Sequence, residues 1–165
     1  MQKLFVSLAL ACMAICSYAQ QDIKARDRME IASVETNDNE ITLYKVKEAD
    51  GNSGFYLVAS HVLVSFSLEI LESTTSFSSA DGTLLYFGAS ADEAMDKLDA
   101  LIDLFSEQVG AQMEFTCRDG STVAATLRKG LFGKYLDIQD TNVSKSDIKS
   151  LKASFKIARK LHPGL

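Results

Sequence analysis

Tryptophan is absent from this chain of 165 residues, and proline occurs once, as Pro163. Without an indole, the usual stacking platform for sugar rings is missing, unless Tyr44, Tyr56, Tyr86 and Tyr135 share a face. A single proline excludes collagen-like and polyproline architectures and a proline-stiffened linker. The two histidines, His61 and His162, lie too far apart in sequence to suggest a metal pair. His61 sits at a junction between apolar strands and reads as a turn or sheet residue. There is no G-x-S-x-G, no glycine-rich phosphate loop and no H-E-x-x-H. No segment reaches the ~20 apolar residues that a membrane-spanning helix needs.

What is present begins with MQKLFVSLALACMAICSYAQQD. Lys3 supplies a charged start, Leu4 to Ile15 a short apolar run, and Ser17 and Ala19 the small residues that a signal peptidase reads. Residues 1–19 are therefore expected to be a secretory signal, cut after Ala19. With Gln at the new N-terminus, the segment resembles the signals of exported Bacteroidetes proteins, which implies a periplasmic or extracellular destination. A lipoprotein signal fits less well. Ile15 is too large beside Cys16, and Ala9-Leu10-Ala11 before Cys12 lack the usual large aliphatic residue at the third place back.

Removing 19 of 165 residues leaves 146, which suits one domain with a sizeable core. Loss of Lys3 leaves 16 Lys and Arg against 22 Asp and Glu, a formal charge of −6. That balance argues against nucleic acid as a partner. Only Cys117 remains, so the core and not a disulfide must hold the fold. Its parity with Met113 and Phe115 puts it on the buried side of a strand.

Residues 20–39 read as a loose arm or an edge strand, with small apolar clusters at Met29-Ile31 and Val34. Residues 40–162 read as a single α+β domain. ITLYKVKE and GFYLVAS flank ADGNSG, a hairpin with a turn-forming Asp-Gly. ADGNSG lacks the glycine position and terminal Glu of a calcium loop, so it reads as a turn only. HVLVSFSLEIL alternates with period two, the pattern of a strand with one buried face. A Ser/Thr-rich loop follows, then TLLYFG. QMEFTCR and TVAATLR are joined by Arg118-Asp119-Gly120-Ser121, a second hairpin. KYLDIQD is a further strand.

Two helices complete the pattern. Ser90 and Glu93 open the first with a capping box, and Ala91, Ala94, Leu98, Leu101, Ile102 and Phe105 form its apolar stripe. Ser144 caps the second, and Pro163-Gly164 stop it. The predicted order from residue 40 is β-β-β-β-α-β-β-β-α, an antiparallel sheet of about six to seven strands with both helices on one face. From its last two strands before the first helix onward, this order resembles longin- and profilin-like domains. That likeness implies a fold only. A faint repeat runs through the two halves, each a meander followed by a Ser-capped helix.

Each helix carries a charged row. On a wheel of 100° per residue, Asp92, Asp96, Asp99, Asp103 and Glu107 span roughly 80°, nearly opposite the apolar stripe. A convex row does not converge on a cation, so the expectation is a solvated face, with partner docking as the sharper alternative. Lys145, Lys149, Lys152, Lys156 and Arg159 form the basic counterpart. The two rows can face each other if the helices pack side by side; an anionic lipid surface is a weaker fit for the basic row. No catalytic residue, cofactor or metal ligand is assigned, since nothing selects Glu69, Glu72, Glu114 or Asp137 over the other carboxylates. The expected function is a non-catalytic binding or interaction module, with an envelope protein or small ligand as partner. The alternatives are a carboxylate-dependent hydrolase and a subunit of an envelope assembly, the latter marked by a free sheet edge or an apolar patch.

Overall fold

A computed structural model describes residues 28–36, 39–48, 50–61 and 83–165. The strands are β1 (Arg28–Glu35), β2 (Asn39–Lys47), β3 (Ser53–His61), β4 (Leu85–Gly88), β5 (Gln112–Thr116), β6 (Thr122–Gly130), β7 (Gly133–Ile138) and β8 (Thr141–Val143). The helices are α1 (Ala91–Leu104), after β4, and α2 (Lys145–Leu161), after β8. The expected secretory signal, most of HVLVSFSLEIL and the Ser/Thr-rich stretch lie outside the described residues.

The fold is α+β, but the single sheet of six to seven strands is incorrect. There are two antiparallel sheets of four strands, ordered β1-β2-β3-β4 and β5-β6-β7-β8. Two strands account for part of the difference. The segment read as a loose arm or an edge strand holds an edge strand, which the count from residue 40 left out, paired from Arg28↔Val46 to Glu35↔Glu40 around a bulge between Glu30 and Ala32. The other, β8, is only three residues long. It follows a two-residue turn in which Gln139 and Asp140 both take left-handed backbone, φ 51° and 63°. That turn lacks the glycine that marks such hairpins in a sequence. Among the described residues the order is thus four strands and a helix, twice, and not the order that resembled longin- and profilin-like domains.

The sheets meet edge to edge but do not merge. Leu85 and Cys117 form a lone antiparallel bridge, and Arg118 N–H donates to Leu84 O at 3.0 Å. Lys97 from α1 takes the next carbonyl on that edge, donating from Nζ to Tyr86 O at 2.8 Å. Its ammonium also stands 5.3 Å and 5.6 Å from the ring centres of Tyr86 and Phe115. A backbone acceptor satisfied by a side chain is withdrawn from the ladder, so pairing stops there. Burial holds the Lys97 pKa below its ordinary value, with Glu93 acting against it. A second junction lies at β8, where Asn39 Nδ2 donates to Asn142 O at 2.8 Å.

One core serves both sheets. Leu43, Phe55, Leu57 and Phe87 join Phe115, Leu127, Leu136 and Ile138 in a single buried cluster. From α1 come Ala94, Leu98 and Leu101, and from α2 Ile148, Leu151 and Phe155, the spacings of one helical face. Phe87 stacks on Phe115 at 5.1 Å, and Phe155 meets Phe55 at 5.7 Å. Cys117 is buried within this cluster, as its parity predicts. Both serine caps form as expected, but the reciprocal half of the Ser90–Glu93 box does not, since the Glu93 carboxylate accepts from Ala89 N–H at 2.9 Å. Ser90 accepts from Glu93 N–H, and Ser144 and Asp147 form a reciprocal capping box. Gly88 makes the exit from β4 to α1 possible. Its φ is 135°, and a Cβ there would lie 2.5 Å from Glu93 Cβ.

Candidate functional site

The acidic and basic rows are brought together in part. α1 and α2 lie side by side and antiparallel: Asp92, at the start of α1, meets Arg159, near the end of α2, while Asp99 meets Lys152 midway. Arg159 Nη2 donates to Asp92 Oδ1 at 2.7 Å, and Lys152 Nζ donates to Asp99 Oδ1. The pairs differ in setting. Lys152 and Asp99 side chains are 18 % and 47 % exposed, those of Arg159 and Asp92 35 % and 81 %. Lys145 Nζ instead stands 5.9 Å from the Phe105 ring centre. Asp96, Asp103, Lys149 and Lys156 are exposed. Glu107 lies beyond the end of α1, which stops at Leu104.

A groove opens elsewhere, between β1 and the C-terminal half of α2. Its volume is about 490 Å³. Met29 and Ile31 form one wall, and Ile157, Ala158 and Leu161 the other, with Leu165 at one end. The polar groups at its margin are Glu30, Lys45, Ser154 and His162. Lys45 Nζ donates to Gly164 O at 3.3 Å. Three of the exposed large apolar side chains, Met29, Ile157 and Leu161, belong to this one feature, at 51 %, 59 % and 70 % exposure. β1 pairs only with β2 among the described residues, so the groove runs beside a sheet edge. The Met29-Ile31 cluster was legible in the sequence. Its neighbours on α2 were not: Ile157 and Leu161 lie off the Ile148, Leu151 and Phe155 stripe, and nothing in their spacing marks them as facing β1.

Three of the four tyrosines considered for ligand stacking do share a face. Tyr44 pairs with Tyr56 across β2 and β3, and Tyr56 with Tyr86 across β3 and β4, with the last two rings edge-on at 5.4 Å. Tyr135 belongs to the other sheet. The row is a packed cluster with Val46, Val58 and Leu84, and Tyr56 is only 5 % exposed, so it offers no open platform. Tyr56 Oη donates to Glu48 at 2.5 Å, and Arg118 pairs with the same carboxylate at 3.4 Å. Burial first, then Glu48, pushes the Tyr56 phenol upward. Burial likewise raises Tyr44 and Tyr86.

Of the four candidate carboxylates, two are described. Glu69 and Glu72 lie outside the described residues, Glu114 is exposed on β5, and Asp137 pairs with Arg128 at 2.6 Å. Asp50 is occupied within its own turn, accepting from Asn52 N–H at 2.9 Å and Asn52 Nδ2 at 2.8 Å. Those bonds hold its pKa below the usual carboxylate value. Among the described residues, no three His, Cys, Asp or Glu side chains gather to hold a metal ion, and no helix is long and apolar enough to cross a membrane. The described part of ADGNSG thus forms the turn expected of it. Compared with protein-family models, curated proteins and solved structures, the chain matches none.

Proposed function

We propose that this protein is an exported binding module of the cell envelope, and that the β1–α2 groove takes its ligand. The groove carries the reading. Its volume of about 490 Å³ falls within the ~300–1,000 Å³ of small-molecule sites, and it combines apolar walls with a few polar groups at the rim. Such a lining suits an apolar or amphipathic molecule, with its body against Met29, Ile157 and Leu161 and a polar end towards Lys45 or His162. The order of Lys3, the apolar run to Ile15 and the small residues at 17 and 19 supports export.

Titration with 1-anilinonaphthalene-8-sulfonate, an anionic apolar dye, tests the site. The wild-type chain is expected to enhance dye fluorescence with saturation. Ala158→Arg, which fills the groove from a half-buried position, is expected to remove the saturable component while leaving the melting temperature within ~2 °C. Equal saturable binding by both proteins would overturn the assignment of the groove.

A further inference from the structure

A second exposed apolar feature lies away from the groove. The β6–β7 hairpin closes over two residues, Leu131 and Phe132, between the paired glycines Gly130 and Gly133. Leu131 is 96 % exposed and Phe132 105 %, so neither side chain packs appreciably on this molecule. The left-handed step falls on Gly133, φ 131°, which leaves the two turn positions to bulky residues. Turns of this length ordinarily carry Asn, Asp or Gly.

Behind the tip the charge is positive. Lys129 and Lys134 are directly opposite each other across the two strands, an arrangement that is unfavourable between neighbouring strands in water. Lys134 Nζ donates to Phe105 O at 3.1 Å and Glu107 O at 2.7 Å, beyond the end of α1. Lys129 is exposed. Arg128, one residue further back, is engaged by Asp137. A convex apolar tip above the exposed Lys129 suits a fluid anionic surface, in which the apolar residues enter the acyl boundary while Lys129 stays among the phosphates.

We propose that the Lys129–Lys134 hairpin anchors the protein to an anionic phospholipid bilayer, with Leu131 and Phe132 inserted. The inference rests on the hairpin alone and is independent of the groove.

The absence of tryptophan makes the test direct. Phe132→Trp introduces the sole indole of the chain at the tip, and Ala100→Trp places one on the exposed face of α1, away from the groove, as a control. Vesicles of phosphatidylcholine containing phosphatidylglycerol, with brominated acyl chains, are expected to blue-shift and quench the indole at position 132 but not the one at 100. Because the readout is local, adsorption through residues 1–19 alone does not produce it. Leu131→Ser in the Phe132→Trp background is expected to weaken the response roughly tenfold. Lys129→Glu should weaken it by a similar factor on anionic vesicles. Full solvent exposure of the indole at 132 on these vesicles overturns the proposal and leaves the tip to a protein partner. An equal response on pure phosphatidylcholine overturns the role of Lys129, and with it the anionic surface.

Discussion

Asp99→Asn, Lys152→Met and the double variant close a thermodynamic cycle on the more buried of the two interhelical ion pairs, and Asp92→Asn with Arg159→Met closes one on the other. Two unit charges about 4 Å apart attract by about 1 kcal/mol in water, and by about 2 kcal/mol at an effective dielectric near 40. Lys152 is 18 % exposed and Asp99 47 %, which places that pair towards the second figure before desolvation and side-chain ordering are subtracted. A net coupling of ~1 kcal/mol follows. Asp92 is 81 % exposed and Arg159 35 %, so ~0.3 kcal/mol is expected there. Urea denaturation of all four proteins in each cycle gives the couplings, and for a domain of this size ~1 kcal/mol corresponds to roughly 3–4 °C in melting temperature. Raising ionic strength to about 1 M, where the screening length falls to ~3 Å, should abolish the weaker coupling and leave part of the stronger. A coupling near zero at Asp99–Lys152, or a larger one at Asp92–Arg159, would refute the argument that burial ranks these pairs.

Three further outcomes follow from particular residues. Gly88→Ala should destabilise the domain by ~2 kcal/mol or more, because it combines a left-handed φ with a Cβ 2.5 Å from Glu93 Cβ; a melting temperature unchanged by calorimetry would mean that the β4–α1 junction is looser than described. Gln139→Gly should stabilise by up to ~1 kcal/mol in urea, since it relieves a left-handed non-glycine turn residue, and a loss would show that the Gln side chain has a compensating contact. The raised pKa values of Tyr44, Tyr56 and Tyr86 make stability pH-dependent on the alkaline side. Above pH ~10 these phenols ionise more readily in the unfolded chain than in the folded one, so the stability they contribute, complete below that pH, falls as pH rises through their folded values. Tyr56→Phe should flatten that decline in melting temperature, and an unchanged slope would point to other groups.

The element types and the helix faces were legible locally. Leu98, Leu101, Leu151 and Phe155 recur at helical spacing, and the Ser90 and Ser144 caps require only neighbours three residues away. The acidic row was legible too, as the solvent side of α1, but the two carboxylates with partners were not. Asp92 and Asp99 look like Asp96 and Asp103 in sequence, and only the antiparallel packing of α1 on α2 separates them. The hairpin tip was not read from the sequence, because Gly-Leu-Phe-Gly between lysines does not by composition tell an exposed apolar turn from the start of a buried strand. Its exposure is set by how far the β6–β7 ladder projects beyond the core.

By itself the sequence determined what short-range chemistry dictates: where helices begin and which strand faces are apolar. Only the tertiary structure decided that the strands form two sheets, that Lys97 interrupts their common edge, and that Met29 meets Ile157 and Leu161 across a groove. Those features depend on residues far apart in the chain. Their contacts arise from how the sheets and helices share one core, and no local period records that arrangement.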